Sequence, residues 1–413
     1  MSTWPVDPLA LARFVHFAGC VVATGTAVFA VLAAPSPPSV ETDRLRRRWD
    51  AFVCAGAATA AVSGLAWLVV VSANIVGVSV DDLFRNGGLW SVASGTQFGQ
   101  FAVARLVLAL LLLVPTWTPR LRLFLALGLI VLIAPAGHAG AEVGIWGNVH
   151  LIADAAHLAA AGAWLGGLPA LAALLGAAHR NPAVLGETAA RTTARFSWLG
   201  IACVGTLIAT GLANSWFLLS GPGDLLTTDY GRLLTLKIGL FAIMIGIAAV
   251  NRVYLTPQLP ATGALRVLQW STLGELLLGA GILLAVAILG TMEPAAGHSH
   301  TVVSDNVAFV HIHGDAAMAD VTIDPGRAQR ADVRIHLAKE DLTAYTARAV
   351  RVELRPPEAD IPNIAREANP GPDATWDAGG IAIPCPGIWT VVVTITPPSG
   401  AIVVLNGPIV IAP

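Results

Sequence analysis

The sequence carries little charge for its length. Only 12% of its 413 residues are Asp, Glu, Lys or Arg, and 55% are hydrophobic. Soluble domains carry about 25% charged residues. The mean hydropathy is +0.70. No basic tract or nucleic-acid-binding motif is present, so the composition argues against a nucleic-acid-binding protein and predicts that the first 290 residues lie largely in lipid.

Cysteine and catalytic motifs are also scarce. The four cysteines are Cys20, Cys54, Cys203 and Cys385, and no CxxC pair occurs. Cys385 stands alone in the C-terminal region, so no disulfide is expected within that region. The sequence shows no nucleophile arrangement, phosphate-binding loop or paired catalytic carboxylates. We therefore predict a protein that is not an enzyme.

The N-terminus lacks the basic region of a secretory signal peptide, because residues 1–9 contain Asp7 and no Lys or Arg. A basic cluster follows the first apolar run instead, and it consists of Arg44, Arg46, Arg47 and Arg48. We therefore expect this run to remain as the first spanning helix, with the N-terminus outside the cytoplasm.

Eight apolar runs are candidates for crossing the hydrocarbon core, which takes about 20 residues. They are residues 9–33, 51–73, 98–116, 121–137, 149–176, 196–219, 231–250 and 268–290. Arginine concentrates in the connections 34–50, 116–122, 177–195 and 251–267, and the alternate connections are poor in basic residues. The positive-inside rule places the arginine-bearing connections in the cytoplasm and both termini outside.

The composition changes after residue 290. Residues 291–306 are a linker, and residues 307–413 alternate in short β-rich runs separated by Pro- and Gly-rich turns. Such spacing is typical of a small antiparallel β-sandwich. The predicted fold is an all-α polytopic membrane bundle at 1–290, with about eight transmembrane helices, followed by an extracytoplasmic β-sandwich domain at 307–413.

The fifth span carries the strongest group of polar residues. An ionisable side chain in lipid is costly and marks a candidate functional site. His150, Asp154, His157 and Trp164 share one helical face. Two imidazoles on one face suit a late transition metal, or one of them an axial haem ligand, with Asp154 orienting a neighbouring imidazole. The alternative is an interhelical hydrogen-bond network without a ligand.

Two further histidines are predicted at a similar depth. Arg13, His16 and Cys20 share one face of the first span, and His138 follows the fourth span in the segment PAGHAG. Histidine and thiolate both suit soft or borderline metals, although a buried cysteine is often a small hydrophobe. These positions favour a metal site in the outer half of the bundle.

Other ionisable residues divide unevenly between the two halves of the bundle. Arg105 and Lys237 lie in the predicted outer half, where either pairs with Asp154 or attracts an anion. The predicted inner half has Glu275 as its main ionisable residue. This asymmetry indicates a site open to the outer face, without a visible route to the cytoplasm.

Two HxH pairs lie beyond the bundle, His298 with His300 and His311 with His313. On a strand, His311 and His313 point to the same side, and Cu(II) favours such nitrogen ligands. The alternative is a solvated linker and an exposed strand. His336 gives no such signal.

Several segments resemble one known family. HLIADAAHLAAAGAWLGGLPAL (150–171) resembles the signature of the CopD family of bacterial copper-resistance membrane proteins, as do FSWLGIACVGTLIATGL (196–212), TDYGRLLTLKIGLFAIMIGIAAVNRVYLTP (228–257) and GELLLGAGILLAVAILG (274–290). PAGHAG (135–140) fits the histidine that precedes span 5 in that family. The resemblance covers spans 5–8 well and spans 1–4 more loosely.

The resemblance implies copper handling at the bacterial inner membrane, by import together with the periplasmic copper protein CopC. The positions that match are His138, His150, Asp154 and His157, with His16 less closely matched. Residues 307–413 resemble the small β-domain appended to some CopD-like proteins. This domain departs from members that stop after the membrane part, which leaves open whether it is a copper donor.

Three functions are consistent with these residues. The first is a copper-binding transporter that imports copper. The second is a membrane redox protein that binds haem b through histidines on different helices. The third is an assembly factor that presents copper to a membrane oxidase through the outer domain.

Overall fold

The structure is a computed structural model. It describes residues 8–32, 39–76, 78–114, 117–136, 144–219, 221, 223–292, 302–304, 307–313, 317–339, 343–357, 361–372, 374–398, 400 and 402–412. The chain divides into two compact units, Met1–Ala295 and Ala296–Pro413. The described part of the first unit is helical, and that of the second consists of β-strands and connections.

The helices of the first unit follow the apolar runs of the sequence. In the described residues they are α1 (Pro8–Leu32), α2 (Val40–Val76), α3 (Val80–Arg85), α4 (Gly88–Gly95), α5 (Gln97–Leu112), α6 (Pro119–Val131), α7 (Gly144–Leu165), α8 (Leu168–Arg180), α9 (Pro182–Leu218), α10 (Asp224–Thr227), α11 (Asp229–Val250) and α12 (Thr262–Leu289). A short 3₁₀ turn, Ala134–Ala136, follows α6. A π-helix, Asn251–Leu255, and a second 3₁₀ turn, Thr256–Gln258, follow α11.

The predicted polytopic helical bundle is confirmed. Six helical segments of the described chain are long and apolar enough to cross a membrane, namely α1, α2, α7 with α8, α9, α11 and α12. A seventh candidate is α4 with α5, which bend by 90° at their junction. The predicted span at 121–137 coincides with α6, which has only 13 residues. The chain changes to a 3₁₀ turn around Pro135, because proline cannot continue an α-helix.

Small residues let α1 pack closely against α2 and α7. A Cβ atom added at Gly19 would lie 2.7 Å from Ala60 N, and one added at Gly56 would lie 2.7 Å from Gly19 O. A Cβ at Gly166, just after α7, would lie 1.8 Å from Val21 O. Such close backbone approach is typical of helix interfaces in membranes, so α1 contacts both helices directly.

Two helices are longer than a membrane crossing requires. Helices α2 and α9 have 37 residues each, and such a helix is about 55 Å long, against a hydrocarbon core of about 30 Å. Their N-terminal parts carry the predicted loop arginines, at 44 and 46–48 in α2 and at 191 and 195 in α9. Arg122 of α6 pairs with Asp50 of α2, and Arg195 of α9 donates to Leu32 O at 3.3 Å. We call this side of the first unit the arginine-bearing end.

The strands of the second unit alternate buried and exposed residues, as in β4 and β5. In the described residues they are β1 (Val302–Ser304), β2 (Val307–His313), β3 (Met318–Asp324), β4 (Arg330–Ala338), β5 (Ala349–Arg355), β6 (Ile364–Pro370), β7 (Thr375–Ala382), β8 (Gly387–Thr396) and β9 (Val403–Ile411). Alternation of this kind buries one face of each strand.

The nine described strands form one sheet of order β1-β2-β3-β4-β7-β6-β5-β8-β9, with all pairs antiparallel. Strands β5, β6 and β7 are consecutive neighbours and β8 returns beside β5, which is the Greek key arrangement of sandwiches. Strand β9 also contacts β2, so the sheet nearly closes on itself. Its core includes the fully buried Trp389, and the predicted sandwich-like β-domain is confirmed.

Candidate metal site

The predicted face of α7 lies against α9. The imidazole of His150 stacks on Phe217 with ring centroids 4.5 Å apart. One turn further, Asp154 Oδ1 accepts a hydrogen bond from Asn214 Nδ2 at 3.2 Å. The antiparallel helices therefore meet in register, and the polar residues of α7 face those of α9.

His157 continues this series on the next turn of α7. Its Nδ1 lies 2.9 Å from Thr210 Oγ1, and Thr210 Oγ1 itself donates to Thr206 O at 2.6 Å. A hydroxyl has one proton to donate, so His157 Nδ1 is the donor of the first bond. The proton of the neutral ring is thereby fixed on Nδ1, and Nε2 keeps its lone pair for a ligand.

Two more polar groups accompany this interface. Lys237 of α11 lies within electrostatic range of both Asp154 and His157. Asn214 Oδ1 is buried and has no hydrogen-bond partner among the described residues. An orphaned buried acceptor is unusual in a folded protein and indicates a missing donor, water or ion.

A second histidine, His16 of α1, is held in the same way. His16 is 1% exposed, and its Nδ1 lies 2.9 Å from Ala60 O. A carbonyl oxygen only accepts, so Nδ1 carries the proton and Nε2 is the acceptor. Cys20 Sγ lies 3.6 Å from that Nε2, and the thiol therefore donates to it. Nitrogen and sulfur donors of this kind suit a soft metal ion such as Cu(I).

Aromatic and cationic residues enclose the His16–Cys20 pair. The ring of Trp67 lies edge-on to His16, with centroids 5.5 Å apart. The guanidinium carbons of Arg13 and Arg105 lie 5.1 and 5.0 Å from the Trp67 ring centroid. Arg105 also lies within electrostatic range of the Cys20 thiol, and the thiolate is the form of cysteine that binds metals.

The two cations considered as partners of Asp154 have different positions. Lys237 lies near Asp154, whereas Arg105 donates to Leu132 O at 2.9 Å and lies beside His16 and Cys20. The predicted pairing of Asp154 with Arg105 is thus not the arrangement found. Trp164, at the inner end of the α7 face, packs edge-on to Phe241.

The structure does not gather the predicted residues into one group. Among the described residues, no cluster of three or more His, Cys, Asp or Glu side chains is placed to hold a metal ion. His16 lies with Cys20, and His150, Asp154 and His157 lie along α9. His138 falls outside the described residues.

In the β-unit, His311 pairs with an aspartate that the sequence reading missed. His311 Nδ1 hydrogen-bonds Asp320 Oδ1 across β2 and β3, and His336 Nδ1 on β4 lies 4.0 Å from Asp320 Oδ2. The side chain of His313, and the linker pair at 298 and 300, lie outside what the structure describes. Asp320 follows His311 by nine residues, which two neighbouring antiparallel strands can bring together, but only the register of β2 and β3 shows that they are directly opposite.

The hydrogen-bond acceptors of His157 and His16, on α9 and α2, were not predicted from the sequence either. Thr210 and the carbonyl of Ala60 hold the two histidines, yet threonine and alanine are ordinary residues in a membrane helix. Their role follows only from which helices pack together, which the sequence alone does not determine.

Comparison with known proteins places both halves of the bundle in one family. Residues 1–148 match the family described as "Copper resistance protein D-like, N-terminal domain", and residues 190–289 match "Copper resistance protein D". No solved structure is significantly similar to the chain.

Three relatives are informative. "Inner membrane protein YebZ" of Escherichia coli (strain K12) is 32% identical over 292 residues, which are 68% of this chain and 97% of that protein. "Copper transport protein CutJ" of Bacillus subtilis (strain 168) is 33% identical over 184 residues, 43% of this chain and 32% of that protein. "Copper resistance protein D" of Pseudomonas syringae pv. tomato is 31% identical over 173 residues, 39% and 55% of the two chains. The chain therefore belongs to the copper resistance protein D family.

Proposed function

We propose that this protein binds copper within its helical bundle and carries it inward across the bacterial plasma membrane. One observation carries the proposal: His16 and His157 both have the proton fixed on Nδ1 by a protein acceptor, which leaves Nε2 to bind a metal. Metal-binding histidines almost always donate their other ring N–H in this way.

The first proposed copper position is the His16–Cys20 pair. The Nε2 and Sγ atoms are already 3.6 Å apart, and copper replaces the thiol proton between them when the thiolate forms. Thiolate ligands select Cu(I) over harder ions. The neighbouring cation Arg105 offsets part of the negative charge of the thiolate.

The second proposed position is the α7–α9 interface, with His157 and Asp154 as ligands and His150 toward the helix start. The orphaned Asn214 Oδ1 supplies another oxygen donor beside Asp154. His138, from the segment before α7, is the last proposed copper ligand at this position, and it is included because of the family resemblance.

The orientation proposed here puts the arginine-bearing end in the cytoplasm and both termini outside, in accordance with the positive-inside rule. Copper then enters from the outer face, where a CopC-like periplasmic copper protein is the proposed donor. Two of the three relatives have copper in their names, which supports copper over haem b as the bound species.

The histidines of β2, His311 and His313, are a proposed copper position in the outer domain. The hydrogen bond to Asp320 fixes the orientation of the His311 ring, as carboxylates beside metal-binding histidines do. This position is independent of the bundle. Removal of the β-unit should therefore leave copper binding by the bundle intact.

Cellular copper uptake tests the proposal. In cells that depend on this protein for copper, His157→Ala and His16→Ala should lower copper accumulation at least tenfold at equal protein level. His179→Ala, at the arginine-bearing end of α8, is the matched control and should accumulate copper like the wild type. Normal accumulation in both site variants would refute copper import through these residues.

A further inference from the structure

A cavity of about 230 Å³ lies among the helices of the first unit near the arginine-bearing end. Its walls come from α9, α11 and α12, with Trp164 of α7 at one side. Several polar side chains line it, including Glu275, Asn251 and Thr193. These polar groups lie in segments that are long and apolar enough to span a membrane. Polar groups are costly in lipid, so their presence here indicates a functional site.

Glu275 is buried, with 3% of its surface exposed. Its Oε1 accepts a hydrogen bond from Asn251 Nδ2 at 2.5 Å. Ser271 Oγ donates to Asn251 Oδ1 at 2.8 Å, which fixes the amide so that its NH₂ faces the carboxyl group. The carboxyl group is therefore held in a defined position by neighbouring side chains.

No cation within the described residues is paired with Glu275. A buried carboxylate without a positive partner is strongly unfavourable, because it has lost its hydration and gained no counter-charge. Glu275 is thus stable in this position when it carries a proton, or when a charge enters the cavity beside it.

The cavity has room and polar surface for water. Thr193 is 4% exposed, and its Oγ1 has no hydrogen-bond partner among the described residues. A water molecule in the liquid occupies about 30 Å³, so the cavity has space for several water molecules. An unsatisfied buried hydroxyl on the wall is the partner that such water needs.

The backbone beside Glu275 is irregular. The α-helix of α11 changes to a π-helix at Asn251, the residue that binds the carboxyl group. Single turns of π-helix are frequently found at functional sites. Here the turn places Asn251 toward α12 and Arg252 toward α9, where its guanidinium donates to Ser197 Oγ at 2.6 Å.

Arg252 is the other charged residue that lines the cavity. Its guanidinium carbon lies 4.3 Å from the centroid of the Trp198 ring, so it is engaged on the α9 side. Among the described residues, the other charged groups of the surrounding helices stay outside the lining: Arg13, Asp154, Arg180, Glu187, Arg191, Arg195, Asp229, Arg232, Lys237 and Arg266. Arg252 thus shares the cavity lining with Glu275, and its guanidinium is held by Ser197 and Trp198 of α9.

We propose that this cavity is a proton-binding site in which the Glu275 carboxylate takes up and releases a proton through water from the arginine-bearing end. In the step, one carboxylate oxygen gains a proton from hydronium in the cavity and later returns it, with no other bond changed. Oxygen and amide groups line the polar part, and no thiol or thioether is among the lining residues. These hard donors do not suit Cu(I).

Proton binding at Glu275 goes beyond the proposed copper function and does not rest on it. It supplies a chemical step by which movement of a cation through the bundle can be linked to the proton gradient. Proton binding can be measured without copper. A negative result in that measurement does not affect the copper proposal, and a negative result in the copper-uptake experiment does not affect the proton-binding proposal.

Infrared difference spectroscopy of the full-length protein in nanodiscs, between acidic and alkaline buffer, tests the proposal. The wild-type spectrum should contain the carbonyl band of an un-ionised carboxyl group in an apolar environment, and Glu275→Gln should remove it. Glu187→Gln, at an exposed site of α9, should leave it in place. Glutamate labelled with ¹³C at the carboxyl carbon should shift the band in the unmutated protein, which identifies it without a variant.

Each other outcome overturns the proposal. A wild-type spectrum without this band means that Glu275 keeps one protonation state throughout. A band that persists in Glu275→Gln, or that fails to shift with labelled glutamate, belongs to another group.

Discussion

At the scale of single residues, the functional chemistry depends on which ring nitrogen carries a proton. His16 and His157 both donate from Nδ1, to Ala60 O and to Thr210 Oγ1. Neutral imidazole binds metals through its unprotonated nitrogen. The acceptors on α2 and α9 therefore give two histidines on different helices the tautomer that the proposed copper binding requires.

Thr210→Val should weaken metal binding at His157 without disturbing the fold. Valine keeps the shape of threonine but removes the acceptor of the His157 Nδ1–H bond. Loss of such an outer partner typically lowers metal affinity about 10- to 100-fold. A competition titration with a Cu(I) chelator measures the change.

Thr206→Val is the matched control for that titration. Thr206 lies one turn earlier on α9, and its hydroxyl donates to Ala202 O at 2.9 Å. Equal copper affinity in the two variants would show that the hydrogen bond to Thr210 has no role in metal binding.

Gly64→Ala should displace His16. An added Cβ would lie 2.9 Å from His16 Cε1 and 3.0 Å from Nδ1, closer than such contacts permit. The imidazole has to shift away from α2, which weakens its bond to Ala60 O, and we expect copper affinity at the His16–Cys20 pair to fall about tenfold, as on loss of such an outer partner. The same alanine substitution at Gly246, where the structure leaves open space, should bind copper normally. Normal binding in Gly64→Ala would contradict the role given to His16.

Much of the site could be predicted from residue type and spacing, and part could not. Histidine and aspartate in an apolar helix stand out, so His150, Asp154 and His157 were found on one face. That Arg105 lies beside His16 rather than Asp154 depends on how α5 packs, because every span is apolar on several sides. The pairing of Asp320 with His311 needed the strand register.

At the scale of helices, close packing of α1 sets the positions of both proposed copper sites. Glycine at the contacts of α1 with α2 and α7 brings the backbones together. In membranes, where lipid is as apolar as the side chains, such packing is a main source of helix association. The positions of the His16–Cys20 pair and of the α7 face thus depend on glycines that cannot bind a metal themselves.

Gly166→Ala should destabilise the bundle. Its Cβ would lie 1.8 Å from Val21 O, so α1 and α7 have to separate. Overpacking of a well-packed interior typically costs about 1–3 kcal/mol. Unfolding of the purified protein in a denaturing detergent measures this. Gly205→Ala, which meets open space on α9, should unfold like the wild type, and equal stability of the two variants would refute the packing role of Gly166.

Hydropathy predicted the positions of the helices correctly, but it did not predict their ends. The predicted spans all coincide with helices, since about 20 apolar residues in lipid have no other way to satisfy their backbone. The 37-residue lengths of α2 and α9 were not predicted, because their arginine-rich ends look like loops by hydropathy. The π-helix after α11 gives no sequence signal of its own.

At the scale of the whole chain, the two compact units have separate cores. The boundary between the bundle and the β-unit falls after Ala295 in the sequence. The β-unit has its own buried apolar core, with Trp389 fully buried and its Nε1 donating to Cys385 O at 3.1 Å. A domain with its own core can in principle fold alone.

Residues 296–413 expressed alone should fold, and Trp389→Ala should destabilise them. Removing a buried tryptophan costs about 3–5 kcal/mol, which denaturant unfolding followed by circular dichroism will show. Ile388→Ala removes a neighbouring side chain that is 64% exposed and should have little effect. If residues 296–413 show no cooperative unfolding, the β-unit depends on the bundle for its stability.

The most direct test of the central claim is the X-ray absorption spectrum of copper bound to the purified full-length protein after loading with Cu(I). Copper held as proposed shows imidazole nitrogen and sulfur in its first shell. The sulfur contribution disappears in Cys20→Ser, and the imidazole contribution falls in His157→Ala. A protein that binds no copper, or a spectrum that neither substitution changes, would contradict copper binding at these residues.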